Sequence, residues 1–420
     1  MPNMNIIKVF TDYRQFQIFI LGIFSGMPLA IIYTTLSGWM SVLKVDIAIV
    51  TAVAFTRWFY SLKFIWAPFV DSFKIPILHK IGQRKSWMCF ASSIIAVIIF
   101  LYGKCSPEIS IIPLYLLTVV LAFVSATLDI VIDAFRIDMI ERDKQSIASA
   151  NAVLGYLFGG MISGAGAFLF AEDYGWEMVF TFLASLYILG ILFMLTLREP
   201  KVARDRLSKV TLHSWKKITI DPFRDFLKRD GAIVVLLAVI FYKLGDAMLG
   251  VVSSPFYVDL GFSLKEIGSV VKLIGFIPMV AGSYIGGYIM YRFGHFKGLM
   301  IGGIAQSITN LSFVWLNHMG YDVNALMIAI SIENIASGMG NAALVGYLSY
   351  LCNKQFSATQ YALLSSASGL FSHSIVGFGG VIAKNLGWDL YFIMTIVLAI
   401  PGLVLLVCVN KKYGFSSKAT

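Results

Sequence analysis

Charge is scarce in this chain: Asp, Glu, Lys and Arg make up 13% of its 420 residues, against about 25% in soluble proteins. Together with a 58% hydrophobic composition and a mean hydropathy of +0.80, that shortage excludes a water-soluble globule. Strands and loops left open to lipid cannot satisfy their backbone groups, so an all-α polytopic membrane protein is expected. Cysteine is equally thin. The four present (Cys89, Cys105, Cys352, Cys408) show neither a pairing pattern nor metal-ligand spacing, so neither a disulfide nor a metal site is expected. The opening MPNMNIIKVFTDYRQ lacks a short apolar core with a cleavage site, so the first apolar run is read as a retained span. Acids are outnumbered 23 to 33 by Lys and Arg, a net charge of +10. The basic excess sits between apolar runs, which indicates orientation in a lipid bilayer and argues against nucleic acid as a partner.

Long apolar runs are what the sequence has in quantity. Runs of about 20 residues fall at roughly 15–40, 46–70, 87–103, 111–136, 147–171 and 177–197, then at roughly 232–257, 266–291, 298–317, 324–350, 358–384 and 389–410. Twelve transmembrane helices are therefore expected: a first half at 1–197, a linker at 198–231, a second half at 232–410 and a tail at 411–420. Sliding the chain by 212 positions lays Ser125 on Ser337, Ala150 on Ala362, and Gly175-Trp176-Glu177 on Gly387-Trp388-Asp389. Such a shift moves each span by six and preserves its direction. The halves are thus parallel repeats, an arrangement that resembles the major facilitator architecture. If both termini are cytoplasmic, that side holds 25 of the basic residues and the other side four (Lys44, Lys104, Lys265, Lys384), so both ends are expected to face the cytoplasm. The linker, with Trp215 and the pair Lys216-Lys217, reads either as an amphipathic piece on the anionic leaflet or as a solvated tether.

A few charges fall inside the expected spans. Asp129 and Asp133 are four residues apart and share a helix face, and each carboxylate costs about 2.5–3.5 kcal/mol or more in hydrocarbon. With Asp246 and Glu333 the acids number four; Arg57, Lys63, Lys243 and Lys272 are the matching cations, so pairing is expected. All four acids lie on spans one, four, seven or ten, which surround the central cavity in this architecture. That placement suits a substrate or ion path, with a proton as the coupling ion and no cofactor. Lys243 with Asp246, and Asp133 with Arg136, also read as local pairs that only neutralise each other. Asp129 and Glu333 have no basic neighbour in sequence, which favours a functional role. The loop with Asp71, Arg84 and Lys85 reads as a clamp on cytoplasmic helix ends, or as plain positive-inside anchoring.

Longer pieces carry a resemblance. LGIFSGMPLA at 21–30, KFIWAPFVD at 63–71, GQRKSW at 82–87, SATLDIVIDA at 125–134, YKLGDAM at 242–248, ENIASGMGNAA at 333–343 and CNKQFSATQYALLSS at 352–366 are similar to the AmpG muropeptide permeases, a family of the major facilitator superfamily. The resemblance implies proton-driven import of N-acetylglucosamine–anhydro-N-acetylmuramic acid, with or without peptide, across the bacterial inner membrane for cell-wall recycling. It implies a polar core of Asp129, Asp133, Lys63, Lys243, Asp246, Lys272, Glu333 and Asn334. Arg57 and Asn341 are added as polar contacts for such a substrate. Tyr33 and Trp39 are offered as sugar platforms, with packing as the alternative. A monomer is expected. The family usually carries Gln before the first acid of the fourth span, where this chain has Leu128. The alternatives are a related permease for another bulky anion, such as an acyl-CoA or a different amino sugar, and a membrane enzyme acting on lipid-linked sugars. Acids spread mid-span over both halves count against the enzyme.

Overall fold

The computed structural model describes residues 12–43, 53–107, 109–200, 215–376 and 379–413, and every element among them is helical. Among the described residues, ten helices are long and apolar enough to cross a membrane: Tyr13–Met40, Gln83–Tyr102, Ile112–Met139, Gln145–Ala171, Asp173–Thr196, Ala232–Asp259, Ser269–Phe293, His295–Met319, Val323–Leu351 and Trp388–Lys412. Each matches one of the twelve expected runs. The other two runs take different forms. The run at 46–70 begins outside the described residues and continues as short pieces: Val53–Thr56, Arg57–Leu62, a 3-10 turn at Lys63–Ile65, and Ala67–Ser72. Pro68 explains the last break, because it lacks an N–H and its ring opposes the carbonyl four residues back, so it is tolerated only in a first helical turn. The run at 358–384 is Ser357–Val376 followed by Gly379–Leu386.

One boundary changes the charge reading. The Ile112–Met139 helix runs three residues past the expected end, and Arg136, which is one of the 25 basic residues assigned above to the cytoplasmic side, is 1% exposed within it. Its charge is compensated locally: Arg136 Nη2 donates to Asp133 Oδ1 at 2.9 Å, and the guanidinium lies 5.3 Å from the centre of the Tyr361 ring.

The chain divides into two compact units: Met1–Arg142 with Asn151–Phe223 and Cys352–Ser366, and Asp143–Ala150 with Arg224–Leu351 and Ala367–Thr420. Each therefore takes one short segment from the other half of the chain. The two borrowed segments correspond under the 212-residue shift, which lays 143–150 on 355–362.

In the first unit, Met27, Ile95, Leu121, Phe135, Phe180 and Tyr187 form part of a continuous apolar core. Glycine lets two backbones touch there: a Cβ on Gly26 would lie 2.1 Å from the Tyr156 carbonyl oxygen. The second unit packs Phe256 edge-on to Phe313 and Phe392. Its Gly282 lies against Ile335 in the same way, at 2.0 Å from the carbonyl oxygen to a built Cβ.

Candidate functional site

Asp129 is the centre of a polar cluster in the first unit. Lys63 Nζ donates to its Oδ2, and Ser25 Oγ donates to its Oδ1 at 2.6 Å. The Lys63 side chain is 7% exposed and that of Asp129 is 20% exposed. The partner that sequence spacing did not supply thus comes from 66 residues upstream, on the 3-10 turn. Irregular backbone at membrane depth is tolerated where it is buried in protein or lines a polar path. Asp133, one turn along, takes only the bond from Arg136, and its Oδ2 accepts none among the described residues. Tyr60 OH and Ser125 Oγ share a hydrogen bond beside this group.

The other residues expected in this unit separate into two kinds. Arg57 lies over the Tyr33 ring at 4.7 Å, and Tyr33 OH bonds Thr56 Oγ1 at 2.9 Å. Trp39 is packed: 6% exposed, stacked on Trp176 at 6.0 Å and 5.2 Å from Phe180. Its indole presents no open face to a sugar. Leu128, which stands where the family usually has Gln, is fully buried in the apolar core.

The second unit holds a related cluster. Lys243 Nζ donates to Asp246 Oδ2 and, at 2.6 Å, to Asn341 Oδ1. Ser337 Oγ reaches Asp246 Oδ1 at 3.4 Å, and Asn341 Nδ2 reaches Ser337 Oγ at 3.4 Å. The local pair expected from sequence is present, with two more polar residues built around it. Asn334 Nδ2 donates to the Gly275 carbonyl at 3.0 Å, which ties its helix to the end of the π-helical stretch Gly268–Ile274. Glu333 has no hydrogen-bond or ion-pair partner among the described residues and is half-buried. The Lys272 side chain lies outside the described residues.

The clamp residues form a third cluster, within the first unit. Arg84, fully buried, donates from Nη2 to Asp71 Oδ1 at 2.8 Å and from Nε to Asp138 Oδ2 at 3.1 Å. Nη2 also donates to Ser357 Oγ at 3.0 Å. Asp71 Oδ2 accepts the Thr359 backbone N–H at 2.9 Å and its hydroxyl at 2.7 Å; Asp138 Oδ1 accepts the Ser357 hydroxyl at 2.8 Å. Both acids therefore sit at the N-terminus of the Ser357–Val376 helix, where free N–H groups favour negative charge. Glu199 completes the group by accepting the backbone N–H of Arg84 at 2.7 Å and of Lys85 at 3.2 Å. Gly82 makes room for it, since a Cβ there would lie 2.3 Å from the Glu199 carboxylate. Burial pushes the Glu199 carboxyl up from the ordinary glutamate value, against the pull of the two N–H groups and Arg84. Lys85 points elsewhere: its exposed Nζ donates to the Leu195 carbonyl at 2.8 Å.

Asp138, Glu199, Ser357 and Thr359 were missed in the sequence reading. Their signals were weak but present: a Ser and a Thr opening an apolar run after a polar loop, and a Glu-Pro pair closing one.

The chain matches the Major Facilitator Superfamily profile over residues 18–370 and 235–416. It is 49% identical over 411 residues to "Putative transporter AmpG 4" of Rickettsia conorii, covering 97% of this chain and 99% of that protein. It is 32% identical over 412 residues to "Anhydromuropeptide permease" of Escherichia coli K12, covering 98% of this chain and 82% of that one. The chain belongs to the AmpG family of the major facilitator superfamily. It is a transporter rather than an enzyme, and a multi-pass protein of the bacterial inner membrane. A crystal structure of a double-tryptophan XylE mutant aligns at a TM-score of 0.70 and 13% identity, over 99% of this chain and 97% of that one. That likeness concerns the fold, and it agrees with the major facilitator arrangement read from the internal repeat.

Proposed function

We propose that this AmpG-family protein imports N-acetylglucosamine–anhydro-N-acetylmuramic acid peptides from periplasm to cytoplasm, driven by protons. The observation that carries the substrate class is the 32% identity, over nearly the whole chain, to a protein named anhydromuropeptide permease. The chemistry of the buried clusters supports it. A peptide carboxylate requires cations held in a polar site, and Lys63, Arg136 and Lys243 are held so by acids and amides. The two aspartates divide the work of coupling. Asp129, with both oxygens engaged, anchors Lys63; Asp133, with one oxygen open, takes the proton. Glu333, unpartnered in the second unit, is the other carboxyl available for a proton. An inward proton gains about 2.3 kcal/mol per 100 mV, which corresponds to a concentration ratio of about fiftyfold.

Purified protein in liposomes tests the reading. Radiolabelled disaccharide-peptide accumulates inside, chemically unchanged, only under an inward proton gradient. Equal accumulation without the gradient removes the coupling. Accumulation of another bulky anion, such as an acyl-CoA, but not of the muropeptide, replaces the substrate.

A further inference from the structure

Pro28 interrupts the Tyr13–Met40 helix within one turn of Ser25, the residue that donates to Asp129. A proline has no N–H for the carbonyl four residues back, and its ring crowds that carbonyl, so the Phe24 oxygen loses its ordinary helical partner. At membrane depth no water replaces it, and a neighbouring helix must. Tyr187, fully buried on the Asp173–Thr196 helix, does so: its hydroxyl donates to the Phe24 carbonyl at 2.9 Å.

A second, independent feature fits the same helix face to Phe24. The Tyr187 and Phe24 rings meet edge-on at 5.4 Å. Gly190, three residues further along, lets the Phe24 ring in, since a Cβ there would lie 2.5 Å from the ring's Cζ. Past the break the backbone is held from another helix. Ser163 Oγ donates to the Met27 carbonyl at 3.0 Å, and Thr35 Oγ1 donates to the Ser163 carbonyl. The helix then passes into the π-helical stretch Ile31–Leu36, which carries Tyr33. Proline thus divides the helix into a part that places Ser25 and a part that places Tyr33. In the second unit Tyr391 OH donates to the Met248 carbonyl at 2.9 Å, but Val252, four residues on, has an N–H of its own to offer that carbonyl. There the hydroxyl adds a bond; at Phe24 it replaces one.

We infer that Tyr187 is a positioning residue for Asp129. Its hydroxyl takes the place of the N–H that Pro28 lacks, fixes the bend of the helix and keeps Ser25 Oγ on the carboxylate. The Phe24 carbonyl and the Ser25 nitrogen belong to one planar peptide unit. A donor that holds the carbonyl therefore sets the direction in which Ser25 leaves the backbone, and turning that unit carries Ser25 Oγ off Asp129 Oδ1. The consequence for transport rests on the proposed role of Asp129; the replaced bond does not.

Tyr187→Phe keeps the ring and removes the hydroxyl. In the purified full-length protein it should lower the melting temperature in detergent and reduce gradient-driven muropeptide uptake in liposomes by about tenfold, the size of effect expected for one buried hydrogen bond. Two double-mutant cycles identify the cause. In the Pro28→Ala background, where an N–H again reaches the Phe24 carbonyl, Tyr187→Phe should change neither quantity. In the Ser25→Ala background it should still lower the melting temperature but leave the residual uptake where Ser25→Ala alone puts it, a split that a tyrosine needed only for packing does not give. Tyr391→Phe should reduce uptake by less than about twofold. Wild-type uptake by Tyr187→Phe overturns the inference. So does an equal loss of melting temperature with and without Pro28→Ala, or a further tenfold loss of uptake on top of Ser25→Ala. A wild type that accumulates no muropeptide under the gradient overturns the transport reading instead, and the Pro28→Ala cycle in melting temperature then still decides whether Tyr187 replaces the missing N–H.

Discussion

Asp129 and Asn341 stand 212 positions apart, at equivalent places in the two copies of the repeat, and each accepts a hydrogen bond from a lysine Nζ: Lys63 in one unit, Lys243 in the other. The accepting position recurs, but the lysines do not: the shift lays Lys63 on Gly275 and Ile31 on Lys243, so the contact is made from different elements in the two copies. The first holds a lysine with a carboxylate. The second holds it with an amide and moves the acid to Asp246, one turn along the lysine's own helix. In the second copy two tasks are therefore split between residues: Asn341 positions the lysine, and Asp246 balances its charge.

Asp129→Asn tests the pairing directly. It leaves the buried Lys63 ammonium without its counter-charge, a loss of about 3–5 kcal/mol for a pair of this kind. The variant should show a clearly lower apparent melting temperature in detergent and no gradient-driven uptake. Adding Lys63→Met to Asp129→Leu should restore the melting temperature but not transport. If the double variant is as unstable as the single, the pair is not what stabilises this cluster.

Asp133→Asn is expected to behave differently in transport. The amide keeps an oxygen for the bond from Arg136 but removes the counter-charge that Asp133 supplies to that buried guanidinium, so the melting temperature should fall here too. Counterflow exchange of substrate across the liposome membrane should persist while proton-driven accumulation is lost. Accumulation at the wild-type level would place the coupling carboxyl elsewhere, with Glu333 the next to substitute.

The Glu199 carboxyl gives a pH signature. Burial raises it, so the folded protein holds that proton to a higher pH than the unfolded chain does. Between the two values the native state binds more protons; stability therefore falls as pH rises through that window and returns on acidification. Glu199→Gln keeps an acceptor for the Arg84 and Lys85 N–H groups but has no proton to lose, so melting curves taken across pH should lose this component. Glu199→Ala removes the cap and should cost about 0.5–2 kcal/mol at every pH.

Leu128→Gln restores the residue usual in the family. The position lies in the first unit's apolar core, so a buried amide without a partner should cost about 1–3 kcal/mol. A lower melting temperature with unchanged substrate preference is expected in a competition assay. A changed preference would show that this position reaches the substrate.

Gly26→Val and Gly250→Ala form a contrasting pair. A Cβ at Gly26 meets the Tyr156 carbonyl at 2.1 Å, and one at Gly250 meets nothing within 4 Å. The first should lower stability by at least about 1–3 kcal/mol through overpacking; the second should be neutral or slightly stabilising. Thermal scans of the two side by side decide it.

The helices were legible in the sequence because hydrocarbon leaves the backbone no other way to bond itself. The repeat was legible because Ser125, Ala150 and the Gly-Trp-acid run recur at one offset. What sequence did not reveal were contacts made across long separations. Asp129 looked solitary because its lysine lies on another element, and Arg136, legible as a partner of Asp133, gave no sign of the Tyr361 ring 225 positions away. Glu199 was passed over because its partners are backbone N–H groups, which carry no letter. Trp39 was offered as a platform on residue type alone, and burial against Trp176 and Phe180 is a property of the fold.

The turn that carries Lys63 has a mechanical consequence. A 3-10 helix rises about 2.0 Å per residue and an α-helix about 1.5 Å, so rewinding the three residues Lys63–Ile65 shortens that stretch by about 1.5 Å. A displacement of that size is enough to part an ammonium from a carboxylate, and it asks for no tilt of a whole helix. The backbone here carries a charge at one end of a short 3-10 turn, and rewinding it to α-helix would loosen the grip on Asp129.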